Sequence, residues 1–202
     1  MGRSAKRTGI AGSRSKGFSI LELVVSLAVL FILTAIAIPS LMQSLRAYQL
    51  NDVASRLADI LKFTRFEAVR RNSSVPAQIQ QFPPDWVVWA DPDRDATLDA
   101  AEKQILITGI VTLLPAGGSP GLPGPASITA TLGASGPLTT LSGANGSVLF
   151  DARGALSPLK AYVFYVGSAT HPEYGFRAVI LLPSGNTQIW AASPGGTWRQ
   201  IS

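Results

Sequence analysis

The chain has 202 residues, 47% of them hydrophobic and only 14% charged, which excludes a disordered protein and suits one ordinary domain with an appendage. It contains no cysteine, so a disulfide framework, a Cys-type zinc site and thiol catalysis are excluded together. The net charge of +5 invites a nucleic-acid reading, but the excess is local. Five of the 17 cations (Arg3, Lys6, Arg7, Arg14 and Lys16) lie in residues 1–17, which hold no acid, and the other twelve match the 12 acids. From Asn72 onward six cations (Arg94, Lys103, Arg153, Lys160, Arg177 and Arg199) face eight acids, so this part is mildly acidic and nucleic acid is not its expected partner. The single histidine, His171, precedes Pro172 in a predicted loop and reads as a bystander. No nucleophile–base–acid set and no phosphate-binding loop is present, so an enzyme is not expected.

Behind the basic segment, Phe18 to Ile38 is an apolar run with one charge, Glu22, closed by Pro39. As a helix these residues would extend about 30 Å, the thickness of a bilayer's hydrocarbon core. Apolar residues occupy every face, unlike the stripe of a buried soluble helix. The cations in front predict a cytoplasmic N-terminus and an exported remainder. A cleaved secretory signal would carry its small-residue site after the apolar run. Here the distinctive residues lie before it, as Lys16-Gly17-Phe18-Ser19-Ile20-Leu21-Glu22. Glu22 is a functional candidate in its own right, because a carboxylate inside an apolar helix costs several kcal/mol in lipid without a partner.

That stretch resembles the type IV prepilin signature. The resemblance implies cleavage between Gly17 and Phe18 by a prepilin peptidase on the cytoplasmic side. It also implies N-methylation of Phe18 and retention of the apolar helix in the mature protein. Glu22 would then meet the free N-terminal amine of a neighbouring subunit in a filament. No such use is implied for a cofactor.

Ser40 to Arg71 continues as a predicted amphipathic helix. Leu50, Val53, Ala54, Leu57, Ile60, Leu61, Thr64 and Ala68 recur at three- and four-residue steps, with Asp52, Arg56, Asp59, Lys62, Arg65 and Arg70 between them. Pro39 removes one helical hydrogen bond and should kink or loosen the helix there. Asn72-Ser73-Ser74 should end it. Strands are then predicted at 75–81, 86–90, 104–114, 127–132, 147–151, 161–166, 176–182 and 187–192, rich in β-branched and aromatic residues between turn residues. Pro183-Ser184-Gly185-Asn186 should join the last two as a hairpin turn. Residues 115–146 hold eight glycines and five prolines and read as a long loop or extended insert.

The implied organisation is a leader at 1–17, a transmembrane and assembly helix at 18–39, an amphipathic helix at 40–71 and a β-rich head at 72–202. Phe66-Glu67-Ala68-Val69-Arg70-Arg71-Asn72, the Trp86–Ala90 strand with its following acidic loop, and Arg177 to Gly185 resemble the GspH/FimT family of minor pilins and pseudopilins. The family's head commonly closes with a glycine followed by basic residues, whereas Gly185 here precedes Asn186-Thr187-Gln188. The resemblance implies an α+β, pilin-like fold, with a long N-terminal helix packed on an antiparallel β-sheet head. It implies a minor pseudopilin of a type II secretion system or, alternatively, a minor pilin of a type IV pilus with a part in pilus assembly or DNA uptake. Its surroundings would be the inner membrane, crossed once, with the head in the periplasm. Its partners would be other pilins or pseudopilins, the peptidase and methyltransferase, and secreted cargo.

One segment has a pattern of its own. Asp91, Asp93, Asp95, Thr97, Asp99 and Glu102 place oxygen donors at positions 1, 3, 5, 7, 9 and 12 of a twelve-residue window, the spacing of an EF-hand calcium loop. Ala96 stands where such loops use glycine, and the flanks are predicted strands rather than helices. Calcium ligation and a solvated acidic turn are the two readings of this segment.

Overall fold

The computed structural model describes residues 17–115, 119–132, 138–141 and 143–202; the basic leader up to Lys16 lies outside these. The chain divides into two compact units, residues 1–42 and 43–202. One helix, α1 (Ile20–Arg71), begins in the first and ends in the second. It passes through Pro39 without interruption of its assignment. In the first unit every described residue is exposed, including Leu21, Val25, Phe31 and Ile36.

In the second unit α1 buries Leu50, Val53, Ala54, Leu57, Ala58, Ile60, Leu61, Thr64 and Ala68, the stripe that the three-and-four spacing predicts. It stops at Asn72, whose φ of 48° is the left-handed conformation that commonly ends helices. The Ser73 N–H then donates back to the Ala68 carbonyl at 3.1 Å.

Among the described residues ten strands follow, divided between two five-stranded antiparallel sheets. They are β1 (Val75–Phe82), β2 (Asp85–Ala90), β3 (Gln104–Ile107), β4 (Thr112–Leu114), β5 (Asn145–Phe150), β6 (Leu156–Ser157), β7 (Tyr162–Gly167), β8 (Phe176–Leu181), β9 (Thr187–Ala192) and β10 (Arg199–Gln200). The first sheet has the order β3-β2-β1-β5-β6 and the second β10-β9-β8-β7-β4. Ala77, Ile79, Trp86, Val88, Val148 and Phe150 of the first sheet and Phe164, Val166, Val179 and Leu181 of the second join the helix stripe in one core.

The second sheet buries its other face too. Val163, Tyr165, Ala178, Ile180 and Trp190 form a second core with Ile128, Leu138 and Trp198. This is why β7 and β8 read as near-continuous apolar runs instead of alternating ones. The cover comes from the Pro/Gly-rich segment. Residues 127–132, expected as a strand, belong to a short helix, α2 (Ala126–Leu132), that places Ile128 against the sheet with no exposed surface. A run this short cannot be assigned by periodicity, and its β-branched residues misdirect the reading. Tertiary bonds hold the cover: the Trp198 indole N–H donates to the Pro123 carbonyl at 3.2 Å, and the Trp198 backbone N–H to Ser127 Oγ at 3.1 Å.

The strand expected over 104–114 is also two strands in two sheets, β3 and β4. Gly109, at φ 95°, sits in the turn between them, a conformation that glycine adopts freely. The Pro183–Asn186 turn forms as expected, with the Leu182 N–H donating to the Asn186 carbonyl at 2.8 Å.

Candidate functional site

Gly17, Phe18 and Ser19 precede the helix, which starts when the Ser19 carbonyl accepts the Leu23 N–H at 3.0 Å. The Gly17–Phe18 bond therefore lies in non-helical chain, where its carbonyl is not taken up by a helical hydrogen bond. A Cβ built on Gly17 would meet nothing within 4 Å, so no packing within the chain requires glycine there. Phe18 is 76% exposed. Glu22 sits in the first turn of α1, where a carboxylate suits the positive end of the helix. Among the described residues its carboxylate has no cationic partner; Ser26 Oγ donates to its backbone carbonyl at 2.7 Å.

The acidic segment lies between β2 and β3, beside the start of β1. Asp91 is fully buried and acts as the anchor of the turn. Its Oδ1 accepts the Arg94 N–H at 2.6 Å, and its Oδ2 accepts Gln78 Nε2 at 2.9 Å and the Ala96 N–H at 3.1 Å. These bonds hold Arg94 and Ala96 at φ 65° and 58°. Arg94 in turn donates from Nε to the Ser74 carbonyl at 2.7 Å, tying the loop to the end of α1.

Three of the six expected donors converge, since oxygens of Asp91, Asp93 and Asp95 lie within 4.8 Å of one another. The others are engaged locally. Thr97 Oγ1 donates to Asp95 Oδ2 at 2.5 Å, and Glu102 Oε2 accepts the Asp99 N–H at 3.0 Å. The donors of the buried Asp91 are all N–H groups, so the turn is closed by hydrogen bonds within the chain.

The price of the arrangement is crowding among carboxylates. Burial, first, and then the charges of Asp91, Asp93 and Asp99 push the Glu102 carboxyl above its usual range, while the Asp99 N–H opposes them. Its Oε1 is buried without a partner. A carboxyl raised in the folded state contributes stability below its unfolded pKa of about 4.3, and that stability is lost as pH rises through the folded value. Glu102→Gln keeps the acceptor for Asp99 and adds an N–H donor facing acids. It is expected to melt higher than the wild type at pH 7 and at the same temperature at pH 3. Differential scanning at the two pH values checks this.

Asn186, where the family's usual pattern has basic residues close behind the glycine, faces a cation already in place. Arg65 Nη1 of α1 donates to Asn186 Oδ1 at 2.6 Å, which pins the β8–β9 turn to the helix. A cation at this position would face Arg65.

A family model for the type II transport protein GspH matches residues 53–185, from the buried stripe of α1 to the β8–β9 turn. The chain belongs to the GspH family. A second model, the prokaryotic N-terminal methylation motif, matches residues 12–38 and so includes Gly17, Phe18 and Glu22. Two crystal structures of the type IV minor pilin FimU from Pseudomonas aeruginosa are similar to this GspH-family chain. The first has a TM-score of 0.50 at 15% identity, covering 73% of this chain and 96% of FimU. The second crystal form gives 0.48 at 16% identity, covering 72% and 99%. At this identity the likeness speaks for the fold, which is pilin-like. No curated protein sequence matches. The family and fold are those of pilin-like minor pseudopilins, structural proteins rather than known enzymes. Among the described residues one helix, α1, is long and apolar enough to cross a membrane.

Sequence reasoning missed a polar contact that ties the second sheet to the helix. Arg177 of β8 donates from Nε to Asn51 Oδ1 of α1 at 2.6 Å across 126 residues of sequence. Nothing in the local pattern around either residue signals it.

Proposed function

We propose that this chain is a minor pseudopilin of a type II protein secretion system, matured by prepilin peptidase and built into a short pilus-like filament. The observation that carries the reading is the succession of three parts in one chain. A methylation motif with an accessible Gly17–Phe18 bond leads into an apolar, exposed helix, which continues into a GspH-family head. Each part supplies one step. The motif provides the cleavage site and leaves Phe18 as a new N-terminus for methylation. The apolar helix holds the subunit in the inner membrane before assembly, with the head in the periplasm, and then packs against other pilin-like subunits. The head offers its surface to partner subunits or cargo.

The alternative reading, a minor pilin of a type IV pilus, draws support from the fold likeness to FimU. Deleting the gene and scoring two phenotypes separates them. Loss of protein secretion with pili intact supports the first reading, and loss of piliation with secretion intact overturns it.

Maturation has its own test. Gly17→Ala is expected to block processing, so that the variant accumulates with its leader attached. N-terminal sequencing of the wild type should begin at Phe18, and any other start refutes the assignment. Since no packing holds Gly17, the substitution acts through the peptidase and not through folding.

A further inference from the structure

No charged residue stands between Glu22 and Arg46, which follows directly on the exposed Leu45 near the start of the second unit. Around this part of α1 the second unit gathers arginines. Arg46 stacks over the Tyr174 ring, 5.2 Å from its centre. Tyr174, Arg177 and Arg199 line a cavity of about 530 Å³ together with Ser193 and Thr197. Arg177 is half-buried, and burial pulls its guanidinium below its ordinary pKa. A partly desolvated charge is costly unless paired. Its acceptors are neutral, Asn51 Oδ1 of α1 at 2.6 Å and the Phe176 carbonyl at 3.0 Å. A second cavity, of about 360 Å³, is lined by Arg46 and Arg56 of α1 and by Ile110 of the β3–β4 turn. The acids of the two linings are engaged, Glu173 by His171 Nδ1 at 3.0 Å and Asp52 by Arg56 at 3.9 Å. Arg46, Arg177 and Arg199 form no ion pair among the described residues.

This concentration of arginine is a property of place, because the chain from Asn72 onward is mildly acidic. The acidic loop lies elsewhere, tied by Arg94 to Ser74 beyond the far end of α1. Two apolar features accompany the arginines: Tyr48 is 75% exposed and Ile110 44% exposed. Such a mixture suits a bilayer surface. Tyrosine rings settle at headgroup level, and arginine stems lie along the hydrocarbon while their guanidinium groups reach the phosphates. A protein carboxylate would engage the arginines but leave Tyr48 and Ile110 unused.

We propose that this surface docks on anionic phospholipid, with a lipid phosphate seated in the cavity at Arg177 and Arg199 and with Arg46 beside it at the bilayer surface. Arg177 uses Nε and Nη1 on neutral acceptors and keeps Nη2 for a phosphate oxygen, a pairing that the guanidinium geometry favours. Ser193 and Thr197 are exposed and supply hydroxyl donors. Surface charge contacts are individually modest and weakened by salt. They therefore hold the head at the bilayer before assembly and are given up when the subunit leaves to join other pilin-like subunits. The proposal rests on the reading of α1 as a membrane anchor and adds the lipid class that the waiting head engages.

The absence of cysteine allows a single dye to be placed. Ala169 is exposed on the β7–β8 connection that carries Tyr174, and it lines neither cavity. Full-length Ala169→Cys protein, labelled there, is reconstituted into nanodiscs of phosphatidylcholine, or with a third of it replaced by phosphatidylglycerol. Both carry a headgroup-linked quencher at the same density. Quenching is expected to be at least threefold greater with phosphatidylglycerol, and to lose that excess in about 1 M salt, where charges are screened beyond roughly 3 Å. Arg177→Glu should shrink the excess at least threefold. Arg199→Glu, on an exposed residue, serves as the same test if Arg177→Glu lowers the melting temperature. Arg153→Glu makes the same charge change on an exposed residue outside both cavities and should leave the excess unchanged. Equal quenching in the two lipids overturns the proposal. So does an excess that survives both Arg177→Glu and Arg199→Glu, or one that Arg153→Glu removes equally. Equal quenching together with binding of a labelled hexaglutamate peptide that Arg177→Glu abolishes would assign the cavity to an acidic segment of another subunit, and also overturns it. Incorporation into phosphatidylcholine nanodiscs reports separately on the anchor. A chain that fails to incorporate refutes the anchor reading, whereas incorporation without a lipid effect refutes the docking alone.

Discussion

Glu22→Ala is expected to leave cleavage at Gly17 intact while removing most of the subunit from filaments. The argument is electrostatic. Described residues from Gly17 to Leu45 are exposed, so no other described residue covers the apolar part of α1. In lipid a carboxylate at such a position costs several kcal/mol, and Glu22 has no cationic partner among the described residues to offset that. Cleavage would create an α-amine at Phe18, with an ordinary pKa near 7.7 and therefore substantially charged at neutral pH. Glu22 of an incoming subunit can neutralise that amine, fixing the register of one helix against the next. Between apolar helices in lipid nothing else is directional, because packing is the main remaining attraction. Alanine keeps the helix and removes the registration. Glu22→Gln separates charge from hydrogen bonding: if registration needs the ion pair, Gln fails like Ala. Shearing filaments from cells and immunoblotting the sheared and membrane fractions measures the loss. Normal incorporation of Glu22→Ala would remove Glu22 from the assembly mechanism.

Which features of the chain were readable in its sequence follows from how local their causes are. The α1 stripe from Leu50 to Ala68 was readable because one helix face meets one core, so burial and periodicity coincide. The N-terminal methylation motif was readable because Gly17, Phe18 and Glu22 stand in a fixed relation to an apolar run. The acidic segment was readable as a turn, but the role of its first member was not. Asp91 stands where a calcium loop places its first ligand, yet the fold buries it as an acceptor of three N–H bonds. The α2 segment depended on a partner far away, since Ile128 is buried only because the second sheet exposes an apolar face to it. The two-residue strands β6 and β10 carry no pattern of their own and exist as pairings to β5 and β9. Arg177 shows the same limit for function. Its hydrogen bond to Asn51 joins residues 126 apart in sequence and is a property of the assembled head.

Leu57→Ala should cost the head about 2–5 kcal/mol, the range for emptying a fully buried leucine site. Leu57 has no exposed surface and lies midway along the buried stripe, between Ala54 and Leu61, in the core shared by both sheets. Its neighbours come from three elements that are each held elsewhere, the helix by its own hydrogen bonds and the sheets by their ladders. The cavity cannot collapse without shifting one of them, which favours the upper part of the range. A domain stabilised by about 5–15 kcal/mol in total would lose a large fraction of that. At roughly 2–4 °C per kcal/mol for a chain of this size, the melting temperature should fall by roughly 4–20 °C. All four tryptophans, Trp86, Trp89, Trp190 and Trp198, are buried, so their emission should shift red as the cores open. Val69→Ala, on the same helix but half exposed, should change the melting temperature little and controls for helix propensity. If Leu57→Ala melts like Val69→Ala, the helix stripe is not what holds the two sheets in one core. The cover over the second sheet, from α2 to Trp198, would then have to supply that cohesion.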